Sequence, residues 1–286
     1  MGETRVDLLH LLEDLRDAYV GAIEETILTE VAANALDSGA TGIAFTTDPA
    51  LATLTIIDNG SGMLRRELAR YHDIASSTKR KGQGIGFAGV GIKLGLLACR
   101  EVMTETRRGT THVATTWGLT SRHRAPWRWT PPAGLVALRG TAVRLQLANV
   151  LSPLLDPVYV ELTLRRHFAT VLDPRFDALL ADVGRRRAVF VVNGRSLGFL
   201  EIAHDLVAPI EIRLARKRKP SATGYLVRRH TAFPEDEQGI AISTLGKAIK
   251  RGWDWLGLTP STGDLVSGLI EAPALAAALT IGRAHV

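Results

Sequence analysis

The chain has 286 residues, 46% of them hydrophobic and 22% charged, with a formal net charge of +6. That balance is of a soluble globular protein with room for two domains and a sizeable core. No apolar run approaches the length of a membrane span, and the charged start Met-Gly-Glu-Thr-Arg-Val-Asp is not a signal peptide. The only cysteine, Cys99, excludes an internal disulfide and a cysteine metal cluster. Its apolar setting, Leu94-Gly-Leu-Leu-Ala-Cys99, suits a buried thiol, and a cytoplasmic protein fits all of this. The positive charge permits contact with nucleic acid without establishing it.

Residues 5 to 20 read as an amphipathic helix, with Val6, Leu8, Leu9, Leu11, Leu12, Leu15 and Tyr19 on its apolar face. Ala22 to Leu36 is the next helix, and Ser38-Gly39 ends it. Glu30, Asn34 and Asp37, spaced i, i+4 and i+7, share one face of that helix. Between Glu24 and Arg65 there is no basic residue, so the row offers oxygens suited to a hard cation and one general base. By itself such a row is ordinarily a solvated face. Ile43 to Thr47 and Leu51 to Ile57 alternate as a hairpin around Asp48-Pro49. Asp58-Asn59-Gly60-Ser61-Gly62-Met63 follows as a turn, where an Asp beside glycines can accept from a ligand amine. Alone, it too is a plain turn. Met63 to His72 is a short helix.

Glycines fall at 82, 84, 86, 89 and 91, followed at once by a helix, Ile92 to Glu101. Glycines let backbone N–H groups crowd around a phosphate, and a helix N-terminus favours negative charge. The Gly-Lys-Ser/Thr ending of a Walker A loop is missing. A flexible linker is the alternative, but Ile85, Phe87, Val90 and Ile92 interleave the glycines. Val102 to Arg107 and His112 to Leu119 are strands. The basic, aromatic, Pro-broken stretch 122–132 reads as a surface loop or hairpin tip, with single-stranded nucleic acid as the other reading. Gly140-Thr141 opens another alternating strand.

Two prolines and an aspartate near 151–157 mark a domain boundary, giving domains 1–150 and 151–286. In the second, Glu161 to Leu172 is a helix and Ala188-Val-Phe-Val-Val-Asn-Gly a strand with a tight turn. Ile210 to Ala215 and Thr223 to Arg229 form a hairpin with a basic tip. Thr244-Leu-Gly-Lys247 is a glycine and lysine turn, Asp264 to Glu271 a last strand, and Ala274 to Leu279 a small-residue helical turn. No internal repeat is evident. The chain ends soon after an apolar segment, as expected of the amino-terminal part of a longer protein.

Helix, strand and Asp-x-Gly-x-Gly-Met at this distance resemble the GHKL ATPases. These are DNA gyrase B, the ninety-kilodalton heat-shock chaperones, sensor histidine kinases, MutL and the MORC proteins. Glu30, Asn34 and Asp37 match the N box, and Asp58, Gly60, Gly62 and Met63 the first glycine box. The glycine-rich segment, with Gly86, Gly89, Val90 and Gly91, looks like the ATP lid and second glycine box. Gly140 and Thr141 match the family's Gly-Thr pair. Specific likeness covers 22 to 147, and beyond that only a general two-domain layout.

The resemblance implies a two-layer α/β sandwich of the Bergerat type, followed by a second α/β, transducer-like domain. It implies ATP and Mg2+ as ligands. Asp58 would accept from the adenine amine, with Thr141 and Met63 lining the base. Asn34 would hold the metal, Glu30 would polarise the attacking water, and Gly86 to Gly91 would hold the phosphates. Lys79, Lys81 or Lys93 would neutralise phosphate charge, Lys93 being best placed. Lys247 or Lys250 would be the lysine of the second domain that reaches the γ-phosphate. Lid closure and a homodimer on ATP binding come with the family, the client being nucleic acid or protein. Three alternatives remain: a histidine kinase, for which only His10 precedes the N box; a nucleotide-gated binding module; and a structural protein with decayed motifs.

Overall fold

In the computed structural model the described residues are 6–19, 21–73, 84–85, 91–214, 219–260 and 263–278. They fall into two compact units. The first holds described residues 6–19, 21–73, 91–164 and 188–197; the second holds 84–85, 165–187 and the described residues from 198 onward.

The first unit contains helices α1 (Leu8–Asp17), α2 (Ile23–Asp37), α3 (Arg65–Tyr71), α4 (Gly91–Ala98) and most of α5 (Pro157–His167). Its strands are β1 (Gly42–Asp48), β2 (Thr53–Asp58), β3 (Cys99–Arg108), β4 (Thr111–Trp117), β5 (Trp127–Thr130), β6 (Gly140–Leu147), β7 (Val189–Val192) and β8 (Arg195–Ser196). They form one sheet in the order β5-β4-β3-β6-β2-β1-β7-β8. Every pairing is antiparallel except β1 with β7. That parallel pairing is why residues 188–197 join the first unit, across the division drawn at residue 150 from the prolines.

Asp7 starts α1 by accepting the His10 N–H at 3.1 Å. Glu24 and Glu25 sit in the first turn of α2, where the helix dipole favours acids. Gly39, at φ +77°, ends α2 while Ala40 N–H returns to the Ala35 carbonyl. The second helix is not the amphipathic surface helix its pattern suggests. Thr26 through Ala33 are all buried, because α2 also packs on α4. Thr26 and Thr29 reconcile their hydroxyls with this burial by bonding back to the Ala22 and Thr26 carbonyls. Ile27, Leu28 and Leu94 from the helices and Phe45, Leu54, Val102 and Leu145 from the strands are fully buried core residues, the two-layer sandwich expected.

The basic, aromatic stretch is in part the hairpin tip expected, with Ser121 and Arg124 bridged at the end of the β4–β5 hairpin. Residues 127–130 are β5, paired with β4. The Trp127 ring stacks on His72 with centroids 4.5 Å apart, and the Arg65 guanidinium lies 3.8 Å above Trp129. Both rings have a partner within the first unit, and Trp127 remains 36% exposed.

The second unit contains α6 (Ala169–Leu172), α7 (Asp177–Asp182) and strands β9 (Leu206–Ile212), β10 (Ala222–Arg228), β11 (Gly239–Thr244), β12 (Lys247–Gly252) and β13 (Val266–Glu271). Its sheet runs β12-β11-β13-β10-β9, with β11 and β13 parallel. The helix expected over 161–172 breaks at Phe168, whose φ of −124° and ψ of 30° are not helical. The turn expected after the last strand is a 3-10 helix, Pro273–Ala277. Phe176, Tyr225, Val227, Phe233 and Leu269 form this unit's own core.

Candidate functional site

Asp58 ends β2, directly opposite Thr141 of β6, and Thr141 is opposite Thr106 of β3. Opposed residues of neighbouring strands project from the same face, so the three form a polar row across the sheet. Thr106 was not singled out from the sequence, yet it ties the row together. Its hydroxyl accepts the Met63 N–H at 2.8 Å and donates to the Gly140 carbonyl at 3.0 Å, with the Thr141 hydroxyl 3.3 Å away.

Asp58 is half-buried and accepts the Gly60 N–H at 2.7 Å. Burial pushes its carboxyl up to about 6, partly offset by hydrogen bonds from the Gly60 and Thr141 backbones and the Ser38 hydroxyl. Ser38 is a second residue the motif did not announce. The signal was its place beside Gly39 at the end of α2.

The glycines here are required by close approach. A Cβ on Gly60 would stand 1.7 Å from Ser38 Oγ. One on Gly62, at φ +63°, would stand 2.2 Å from the Arg107 carbonyl oxygen, and one on Gly140, at φ +131°, 1.8 Å from that of Asp58. Asn59 serves the frame: its side-chain oxygen accepts the Thr41 and Gly42 N–H groups at 2.8 and 3.0 Å. Arg139 Nε donates to the Gly60 carbonyl at 2.7 Å.

Glu30 and Gly91 meet on the helical layer. A Cβ on Gly91, the first residue of α4, would lie 2.3 Å from both Cβ and Cγ of Glu30 and 2.7 Å from its Oε2. Glu30 is buried, while Asn34 and Asp37 are half-buried, so the row of oxygens is not a wet helix face. Lys93 is 2% exposed, with Nζ 5.5 Å from the Tyr71 ring centroid. Burial pulls its ammonium down to about 8, against the nearby charge of Asp73. Gly86, Gly89 and Val90, with Lys79 and Lys81, lie outside the described residues.

Lys247 is the first residue of β12, after a turn in which Leu245 (φ +51°) and Gly246 (φ +94°) are both left-handed. Gly246 is held on both sides. Its N–H points to Glu271 Oε2 at 3.3 Å, and a Cβ on it would meet Val171 Cγ2 at 2.6 Å. Lys250 is paired with Asp254 at 2.6 Å.

A half-buried acceptor beside hydroxyls, walled by glycines that leave no room for a side chain, has the chemistry to take a flat, hydrogen-bonding ligand. Residues 22–132 match the family described as histidine kinase-, DNA gyrase B-, and HSP90-like ATPases, and the chain carries a GHKL-type ATP-binding module of that family. No curated protein matches the chain.

Proposed function

We propose that this chain binds ATP with Mg2+ and hydrolyses it, coupling turnover to a conformational change. The observation that carries the reading is the row Asp58–Thr141–Thr106, closed in by Gly60, Gly62 and Gly140. In this reading the ionised Asp58 accepts from the adenine amine, and Thr141 and Met63 line the base. Glu30 orients and polarises the attacking water, and the close contact with Gly91 restricts where its carboxylate can go. Gly86, Gly89, Val90 and Gly91 offer backbone N–H groups to the phosphates, and Lys93 offers charge. Asn34, with Asp37 one turn further, supplies the side-chain oxygens on the metal side. Among the described residues no cluster of three or more His, Cys, Asp or Glu could hold a metal alone. Mg2+ takes few protein ligands beside substrate phosphates and, when bound, would screen their charge.

Lys247 belongs to the same proposal as the second-domain lysine that neutralises the γ-phosphate, presented on a fixed turn. Pairing of two copies on ATP binding and a cytoplasmic setting complete it; the lone, buried Cys99 suits a reducing compartment.

The test separates binding from chemistry. Asn34→Ala should abolish Mg2+-dependent ATP binding. Glu30→Ala should bind ATP and lose turnover by about two orders of magnitude, the range for one general base. Glu30→Ala hydrolysing at the wild-type rate would overturn the assignment of the base.

A further inference from the structure

Glu271 is the last residue of β13 and is wholly buried, 0% exposed, in an otherwise apolar strand end. Three donors from separate parts of the second unit converge on one of its oxygens. Thr170 Oγ1 of α6 is 3.0 Å from Oε2, Ser243 Oγ of β11 is 2.7 Å from it, and the Gly246 N–H reaches it at 3.3 Å. Ser243 lies opposite Glu271 in the parallel β11–β13 register, so its approach is set by the sheet. Its one proton is shared between Oε2 and the Ile270 carbonyl, 2.9 Å away. The other carboxyl oxygen, Oε1, is buried with no hydrogen-bond partner among the described residues.

An unpaired buried carboxyl oxygen is costly, and an apolar residue of similar size would avoid that cost. The donors show what the carboxylate secures. They bracket the turn Leu245–Gly246, which brings a buried leucine and a glycine into left-handed conformations immediately before Lys247. Thr244 ties the same turn from its other side through Oγ1, 2.9 Å from the Ala272 carbonyl oxygen.

We propose that Glu271 is a positioning residue for Lys247: it fixes the β11–β12 turn in the one geometry that presents the lysine. It acts through that turn and does not itself touch nucleotide. The inference rests on the reading of Lys247 as the residue that meets the γ-phosphate.

The experiment is a double-mutant cycle on the full chain, read as kcat, KM for ATP and ADP affinity. Lys247→Ala should lower kcat by roughly a hundredfold, the usual loss for one charge-stabilising donor, and leave ADP affinity unchanged. Glu271→Leu should lower kcat with ADP affinity equally unchanged, and adding it to Lys247→Ala should cost nothing further. Glu271→Gln keeps an oxygen for the three donors and should restore most of the activity lost in Glu271→Leu, a recovery that general loss of packing would not show. Should Glu271→Leu fail to fold, Thr170→Val and Ser243→Ala carry the same non-additivity test. If Lys247→Ala hydrolyses ATP normally, the Lys247 reading has failed and the positioning role falls with it. If Lys247→Ala is slow but the double mutant is slower by the product of the two effects, Lys247 stands and the role of Glu271 alone is overturned.

Discussion

Asp58 and Glu271 are both carboxylates at the ends of strands, and burial raises the carboxyl pKa of each. Their surroundings differ in kind. Asp58 is half-buried, and its neighbours are glycines held against backbone carbonyls that cannot retreat. Glu271 is sealed, with three donors gathered on a single oxygen. A carboxylate that keeps an open edge in a rigid frame is free to accept from a ligand, the role proposed for Asp58. One enclosed by its own chain is arranged to hold that chain in shape.

The largest effects should come from breaking the frames. Gly62→Ala or Gly140→Ala adds a methyl against a backbone carbonyl at a positive φ. Each should destabilise the first unit by on the order of 2–4 kcal/mol, the sum of overpacking and left-handed strain, in denaturant midpoints. Gly246→Ala meets only a Val171 methyl, which can turn aside, so its loss should be smaller, about 1–2 kcal/mol. Equal losses at the three positions would erase the distinction between a rigid and a yielding frame.

Next comes the ligand. Asp58→Ala should weaken ATP and ADP binding by roughly tenfold or more, the effect of about 1–3 kcal/mol for an unpaired buried group. Calorimetry giving wild-type affinity for Asp58→Ala would remove Asp58 from the pocket.

The smallest effect is in pH. Only the ionised Asp58 accepts from an amine, and with its pKa near 6, ATP affinity should fall below pH 6 by up to about tenfold per unit. Stability moves the other way. The native state holds this proton more tightly than the unfolded chain, whose Asp titrates near 3.8. The contribution of Asp58 to apoprotein stability therefore grows as pH falls from 7 toward 4. The stability of the wild type minus that of Asp58→Asn, followed across this range in thermal melts, should increase on acidification while nucleotide affinity declines.

The sequence made the first unit legible where spacing and chemistry coincide. Glu30, Asn34 and Asp58 stand out because carboxylates and an amide interrupt apolar segments without a basic partner nearby. Thr106 and Ser38 did not, since a threonine in a β-strand is what local propensity favours and a serine before a helix-ending glycine carries no signal of its own. Only the strand register and the end of α2 bring them to Asp58. The burial of α2 was equally hidden, because it depends on α4 covering a face that carries Glu30. In the second unit, Gly246 before Lys247 read only as a glycine and lysine turn. Its constraint comes from Val171 and Glu271, far away along the chain. Trp127 and Trp129 read as part of a surface loop or hairpin tip because a sequence does not disclose that one stacks on His72 and the other under Arg65.

That aromatic grouping also gives the protein an internal optical probe. Three of its five tryptophans, Trp117, Trp127 and Trp129, lie in one cluster, with His72 4.5 Å from Trp127 and 5.0 Å from Trp117. Trp253 and Trp255 belong to the second unit. Replacing Trp253 and Trp255 with phenylalanine would confine the emission to the end of α3 and the β4–β5 edge, a few residues after Met63. Events at the first unit could then be timed by fluorescence in an otherwise unlabelled chain.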